Sequence, residues 1–398
     1  MSNITVILEK RDYQSYGGAE KATRLILNLL KEEGHNIKII TGNKEFTNGK
    51  EKSIYTSLLD VPTKIHLWIN LKKPSFIKIL EKHTKETDIL YIPRLSYPVI
   101  PHLANEKKKI IVHLHDYQPI TFSSAIYQNE KNSMSILNDM EKTIKFEVNN
   151  NEKISRTIKS LLATPLNRLV KNWIKKADTI LCVSKRQKTI IADLAPELKA
   201  KINVIYNPLP KTPLHETSQK EPYMTYFGGD NYLKGFKTIL KASKIFEKHQ
   251  DFRFLLTNKY KKMYDQLFLR LNKKYPNSYV NVGYVDSKQL QRIQIESKAV
   301  LFPSIWEEPL PYVVTEAMLS GTIPIASNIG GVPEIVNGTY AEKTLFQCND
   351  LSDFIQKIEH VLSLTPEELL EIGTSLREET EKKFHENEIR KDLRIFNN

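Results

Sequence analysis

Short apolar runs rich in β-branched residues recur through the first half of the chain, each closed by polar or turn-forming residues. Residues 4–8, 37–40, 89–92, 110–114 and 179–183 have this pattern, which predicts strands buried on both faces. Between the first two runs, Ala22, Leu25, Ile26, Leu29 and Leu30 return at helical spacing. Residues 153–176 carry a broken apolar stripe of Ile154, Ile158, Leu161, Leu162, Leu169 and Trp173, with lysines and arginines opposite. That pattern predicts one helix, which packs on the protein or lies on a membrane surface.

The alternation stops in residues 206–222, where four prolines interrupt any periodicity, and then resumes. The second half predicts strands over residues 223–227, 252–256, 299–302 and 323–326. Helices are expected over 234–249 and 259–275, from Asp286, and near 311–319. Thr365, Pro366 and Glu368 make a capping box with proline at the first helical position, opening a helical stretch expected to reach the end. Repeated strand–helix alternation implies parallel sheets in an α/β fold. The expected organisation is a Rossmann-like domain over 1–206, a linker over 207–222, and a second Rossmann-like domain over 223–375. Residues 376–398 form a helical segment that returns to the first domain.

Composition changes this picture little. Of 398 residues, 40% are hydrophobic and 26% charged, as in ordinary globular chains, and no apolar run reaches the roughly 20 residues of a membrane span. The first residues lead directly into a strand-like run without the features of a signal peptide, and the two cysteines, Cys182 and Cys348, lack metal-ligand spacing. Both point to a cytoplasmic protein. Charge is more informative. Through Pro208 there are 34 Lys and Arg against 21 Asp and Glu; from Leu209 onward there are 25 of each. The whole excess of +13 lies in the first half. It suits phosphates of a membrane surface, a lipid-linked acceptor or nucleic acid, although lysines also decorate solvated faces of no special function.

Four clusters carry candidate chemistry. Gly17 and Gly18, with Ala19 and Glu20, stand between the first strand and the first helix, where glycine lets a ligand approach the backbone and a helix start offers N–H groups to a phosphate. A glycine pair in such a turn is often only a turn, and this one is not GxGxxG. Gly228 and Gly229, followed by Lys234 and Gly235, hold the equivalent place in the second half, where a lysine can pair with a pyrophosphate. The third cluster, residues 303–317, contains Glu308, Pro309, Leu310, Val313, Val314 and Glu316. With Glu308 in a loop and Glu316 two turns into a helix, the carboxylates stand up to roughly 12 Å apart at 1.5 Å per residue. That suits two ends of a nucleotide-sugar better than a glycosidase pair, whose carboxyls lie about 5–9.5 Å apart. The fourth, Gly330, Gly331 and Glu334, is another glycine loop before a helix. All four fall at the carboxyl ends of expected strands, where open α/β sheets bind ligands.

In this order the motifs resemble the retaining glycosyltransferases of the GT-B superfamily, family 4, the glycosyl transferases of group 1. GGAE near the start, HDY at 115–117, ADTILCVS at 177–184, INVIYNP at 202–208, the GG…KG loop, E-x7-E, EAMLSGTIPIAS and GGVPEIV cover nearly the whole chain. The resemblance implies the GT-B architecture, two Rossmann-like domains whose parallel sheets face an interdomain cleft. It implies that Glu308 binds donor-sugar hydroxyls, Glu316 the ribose, and Lys234 the pyrophosphate, with Gly17 and Gly18 approaching the phosphate. His115 would lie near the anomeric centre and Tyr284 would hold the base. It implies a nucleotide-sugar donor, no metal or other cofactor, and a glycan or lipid-linked glycan acceptor on the basic domain. The charge of the first half adds an expected peripheral contact with an anionic membrane at its cytoplasmic face, and no nucleic-acid partner is expected. Two positions depart from the family: Gly229 stands where an arginine is usual, and Pro311 stands where many members have glycine.

Rival readings are a nucleotide-sugar epimerase or a phosphorylase of the same architecture. A more distant one is a nucleic-acid-binding protein using the basic half, for which no motif is present.

Overall fold

The computed structural model of the chain describes residues 1–9, 17–44, 52–104, 106–128, 135–149, 154–212, 220–246, 252–274 and 279–397. Tyr16, beside the first glycine pair, and 213–219 of the expected linker lie outside the described residues. The chain divides into two compact units. The first holds residues 1–126, 131–208 and 386–398, the second residues 127–130 and 209–385.

In the first unit, β1 (Asn3–Leu8), β2 (Asn36–Thr41), β3 (Lys52–Tyr55), β4 (Ile89–Ile92), β5 (Lys109–Leu114), β6 (Thr179–Cys182) and β7 (Ile202–Val204) form one sheet. Its order is β3-β2-β1-β4-β5-β6-β7, parallel throughout. The helices are α1 (Gly18–Glu32), α2 (Lys64–Leu71), α3 (Pro74–His83), α4 (Ile100–Leu103), α5 (Ile136–Asn149), α6 (Ile154–Ala163), α7 (Asn167–Ile174) and α8 (Lys185–Leu194). Every residue of β4 and β6 is buried, as strands covered on both faces require.

The second unit repeats the design with β8 (Glu221–Tyr226), β9 (Arg253–Leu256), β10 (Tyr279–Asn281), β11 (Ser297–Phe302), β12 (Ile323–Ser327) and β13 (Leu345–Phe346). Their order is β10-β9-β8-β11-β12-β13, again parallel. Its helices are α9 (Phe236–Ile245), α10 (Lys262–Lys274), α11 (Ser287–Glu296), α12 (Tyr312–Leu319), α13 (Val332–Val336), α14 (Leu351–Leu362) and α15 (Pro366–Lys383). The last helix, α16 (Glu386–Leu393), belongs to the first unit. Each sheet therefore grows outward in both directions from its first strand. The order reverses between β1 and β4 in one unit and between β8 and β11 in the other.

Three expectations need correction. The single helix over 153–176 is two, α6 and α7, separated by a 3-10 turn at Thr164–Leu166, because Pro165 has no N–H to continue the ladder. The C-terminal helical stretch is likewise divided: α15 ends at Lys383 and α16 starts at Glu386, so residues 376–385 stay with the second unit. The last two residues of the expected linker, Glu221 and Pro222, already belong to β8. The register against β11 shifts there, since Pro222 cannot donate to the sheet.

The reason α16 returns is visible in the first core. Ile389, Leu393 and Phe396 are buried with Ile4, Ile26 and Tyr91, and the Phe396 ring meets Tyr91 edge-on at 5.1 Å. Arg390 ties the helix to α1 through Glu32 and Glu33, the latter at 2.7 Å.

Candidate active site

The switch point of the second sheet gathers three of the four sequence clusters. The loop after β8 carries Gly228, Gly229 and Lys234; the loop after β11 carries Glu308, Pro309 and Leu310 and leads into α12; the loop after β12 carries Gly330 and Gly331. Backbone fit holds them together. Gly235 has φ +77, and a Cβ there would come within 1.7 Å of the Pro303 carbonyl oxygen. Gly330 has φ +58, with Glu308 backbone 2.1 Å from where a Cβ would stand. Only glycine allows either approach. Ser304 Oγ and the Ile305 N–H both donate to the Leu233 carbonyl, at 3.1 and 3.0 Å, and the Gly331 N–H donates to the Glu308 carbonyl at 2.9 Å.

Lys234 Nζ donates to both carboxylate oxygens of Glu308, at 2.6 and 2.7 Å. Its ammonium also lies 5.9 Å from the Phe302 and Trp306 rings. Two residues 74 apart in sequence thus form one charged pair at the strand ends, with the lysine side chain 33% and the glutamate 15% exposed. The backbone of Lys234 is fixed by the buried Tyr226 hydroxyl, which donates to its carbonyl at 3.1 Å. Burial holds that phenol protonated, well above its ordinary range.

Glu316 stands in the second turn of α12, half-buried beside the Tyr312 hydroxyl, whose ionisation is suppressed first by burial and then by that carboxylate. Pro311 is the N-cap, with no side-chain hydrogen bond to the helix start. Val313 keeps exposed surface, whereas the Val314 side chain is in the core and its N–H donates to the Pro311 carbonyl at 3.3 Å. Tyr284 is 57% exposed, in a loop joined to the Gly228 loop through Asn258: the Asn258 N–H donates to Gly283, and its Nδ2 donates to the Phe227 carbonyl at 2.8 Å. Gly229 has φ +61, a conformation an arginine would adopt only with strain, so the departure from the family fits the loop's own geometry.

Sequence reasoning overlooked Glu307. It is 3% exposed, and its Oε2 accepts the Gly330 N–H at 3.0 Å, so it sets the fourth loop against the third. Its position next to Glu308 was the available signal. Also overlooked was Tyr127, which belongs to this unit and bridges to Trp306 as an antiparallel pair.

At the switch point of the first sheet, Gly17 caps α1 without a side-chain hydrogen bond and Gly18 opens it, both exposed. Arg94, just past β4, pairs with Glu20 of the first turn of α1 and with Glu9 just past β1, at 3.2 Å for the latter. His115 follows β5, its ring 4.3 Å from His113 and its Nε2 enclosed without a hydrogen-bond partner among the described residues. Burial, with His113 and Arg94 adding to it, holds His115 neutral, well below the usual histidine range. His113 shares a 2.9 Å hydrogen bond with the Tyr91 hydroxyl and is pushed down to about 3 by burial. Gln187 steadies the loop after β5, donating to the Leu114 and Asp116 carbonyls at 3.2 and 3.1 Å. Glu9 and Arg94 were not singled out in the sequence, since nothing local marks them.

A cavity of 330 Å³ lies elsewhere in the first unit, lined among others by Asp139, Lys142, Asn167, Arg168 and Lys171. Asp139 accepts the Phe122 N–H at 2.9 and 3.1 Å, and burial pushes its carboxyl up to about 6. Lys171 pairs with Glu197 at 2.8 Å.

Two doubly wound parallel sheets, each with its polar cluster at the switch point, define a two-domain α/β protein of the GT-B type. Two family descriptions match in tandem, Glycosyltransferase Family 4 over residues 16–211 and Glycosyl transferases group 1 over residues 213–383. The chain belongs to the GT-B glycosyltransferases of group 1. Among solved structures it is similar to sucrose-phosphate synthase from Thermosynechococcus elongatus, with TM-score 0.71 and 16% identity over 98% of this chain and 97% of that one. It is also similar to Anabaena HepE in complex with UDP-glucose, with TM-score 0.68 and 13% identity over 98% of each chain. A Klebsiella pneumoniae relative, an uncharacterized 41.2 kDa protein in the cps region, is 25% identical over 42% of this chain. The match spans about half of that relative's length, 51%.

Proposed function

We propose that this protein transfers a hexose-type sugar from a nucleotide-diphosphate sugar to a hydroxyl of a glycan or lipid-linked glycan, retaining anomeric configuration. The observation that carries this reading is the Lys234–Glu308 pair at the β8/β11 switch point, with Glu316 on the helix that follows. Glu308 takes hydroxyls of the donor sugar and Glu316 those of the ribose. Lys234 and the α12 start face the diphosphate, and Gly228, Gly229, Tyr284, Pro309, Leu310 and Val313 surround the nucleotide and sugar. Gly17, Gly18 and His115 belong to the same reading on the first unit. An incoming diphosphate competes with Glu308 for the Lys234 ammonium, and exchanging one partly exposed ion pair for another costs little.

The chemistry is a same-face displacement. The bond from the anomeric carbon to the diphosphate oxygen breaks, and the bond to the acceptor oxygen forms on the same face. The acceptor proton passes to a leaving diphosphate oxygen, so no protein nucleophile is used. Lys234 and helix N–H groups stabilise the negative charge that develops, which removes the need for a metal ion. The cation-lined cavity of the first unit is a recess for a charged part of the acceptor. A basic first half supports a polyanionic environment for that acceptor, at the cytoplasmic face of a membrane.

UDP-glucose, the ligand of the HepE structure, is the first donor to test. At a hundredfold excess over Kd a bound donor adds about 2.7 kcal/mol of stability, a melting shift of several degrees. Glu316→Ala should fold normally and lose that shift together with sugar transfer, while a chelator leaves the wild-type rate unchanged. An unaltered rate in Glu316→Ala would refute the assignment. The anomeric configuration of the product, read by NMR coupling constants, decides retention, and nucleoside diphosphate release separates transfer from epimerisation.

A further inference from the structure

Half of the large apolar side chains that stand exposed among the described residues lie between Leu137 and Leu169. On α6, Ile154, Ile158 and Leu162 are 80%, 51% and 75% exposed, and the helix buries no residue at all. Spaced by four, these three side chains share one face. Leu137 and Val148 on α5 are 77% and 59% exposed. An ordinary surface helix turns such a stripe inward.

This helix pair does the reverse. Its inner contacts are polar: Ser160 Oγ donates to Glu147 Oε1 at 2.6 Å, Arg156 Nε lies 3.5 Å from Glu147 Oε2, and Thr164 Oγ1 donates to Thr143 Oγ1 at 3.3 Å. Glu147 and Thr143 are 5% and 1% exposed. With polar groups holding the inside, the aliphatic groups face out. Around them, among the described residues of α5 to α7 and the turn after it, Lys145, Lys159, Arg168, Lys175 and Lys176 are exposed cations, against the exposed carboxylates Glu141 and Asp178.

We propose that α5, α6 and the start of α7 dock onto a bilayer rich in anionic lipid. The aliphatic row enters the boundary between headgroups and acyl chains, and the cations meet the phosphates. A second copy of the chain is a poor occupant, because a self-complementary contact would set these cations against their equals. The inference deepens the proposed transfer to a lipid-linked acceptor and rests on it for its purpose. The 330 Å³ cavity lined by Asp139 and Arg168 is built from the same α5 and α7.

The test is co-sedimentation of the full chain with vesicles of phosphatidylcholine alone and of phosphatidylcholine mixed with phosphatidylglycerol. The protein should partition onto the mixed vesicles and hardly onto the neutral ones. Ile158→Asn combined with Leu162→Asn should reduce that partition about tenfold or more, and Lys159→Gln about fivefold. UDP release from UDP-glucose and far-ultraviolet circular dichroism should be unchanged in both variants, which separates this surface from the donor site and from misfolding. Absent partition, or equal partition of wild type and the double variant, overturns the proposal. So does a wild-type dimer that the double variant makes monomeric. If partition behaves as expected but the wild type never consumes a nucleotide-sugar, the docking surface stands and the transferase reading falls.

Discussion

Lys234 and Glu308 are clamped together by two short hydrogen bonds, and the backbone that carries them tolerates almost no change. A methyl group at Gly235 would overlap the Pro303 carbonyl at a backbone angle that side chains rarely adopt. In the first unit, the comparable constraint is protonation. His113 is fully buried, bonded to Tyr91 and pushed down to about 3, whereas an unfolded histidine titrates near 6.5. Between those values the unfolded chain binds more protons than the folded one, so stability is complete above about pH 6.5 and falls as pH drops toward 3. Each such group contributes up to about 1.4 kcal/mol per pH unit inside that window. Removing the group by His113→Asn should flatten the acid limb of a stability–pH curve measured by denaturant unfolding. Parallel curves for variant and wild type would show that His113 already carries its proton in the folded protein.

At the scale of elements, α16 is held to the first sheet by its own apolar face and by Phe396, which is fully buried against Tyr91. Phe396→Ala should cost about 3–5 kcal/mol, in keeping with large-to-small changes in a packed core. The loss should appear in unfolding of the first unit, and protection of α12 amides in hydrogen exchange should be unaffected. Central strands such as β4 and β6 were legible as short, mostly apolar runs because both their faces are covered. The edge strands β3, β10 and β13 were not, since the first two are short and partly polar, the third is only two residues long, and all gain their identity from a neighbour. Helix α14 was passed over although Asp350 caps it and Phe354, Ile358 and Val361 line its buried face. The pairing of Arg94 with Glu9 and Glu20 was beyond reach, because only the sheet order brings the ends of β1 and β4 together. Glu308 and Lys234, by contrast, could be marked in advance from motif spacing, and topology then supplied their contact.

For the molecule as a whole, the same sheet design occurs twice while the charge does not. Residues through Pro208 carry +13, and those from Leu209 onward carry none. In the proposed reading, donor recognition in the second unit would rest on Lys234, which sits in a partly buried ion pair that salt screens weakly. The proposed membrane docking of the first unit would be a sum over exposed cations, and the Debye length falls from about 10 Å at 0.1 M salt to about 3 Å at 1 M. Raising salt across that range should therefore strip the protein from anionic vesicles while the melting shift produced by UDP-glucose changes little. Both quantities can be followed on one preparation. A parallel loss would mean that donor binding also draws on the diffuse positive field, and the division of labour between the two units would have to be abandoned.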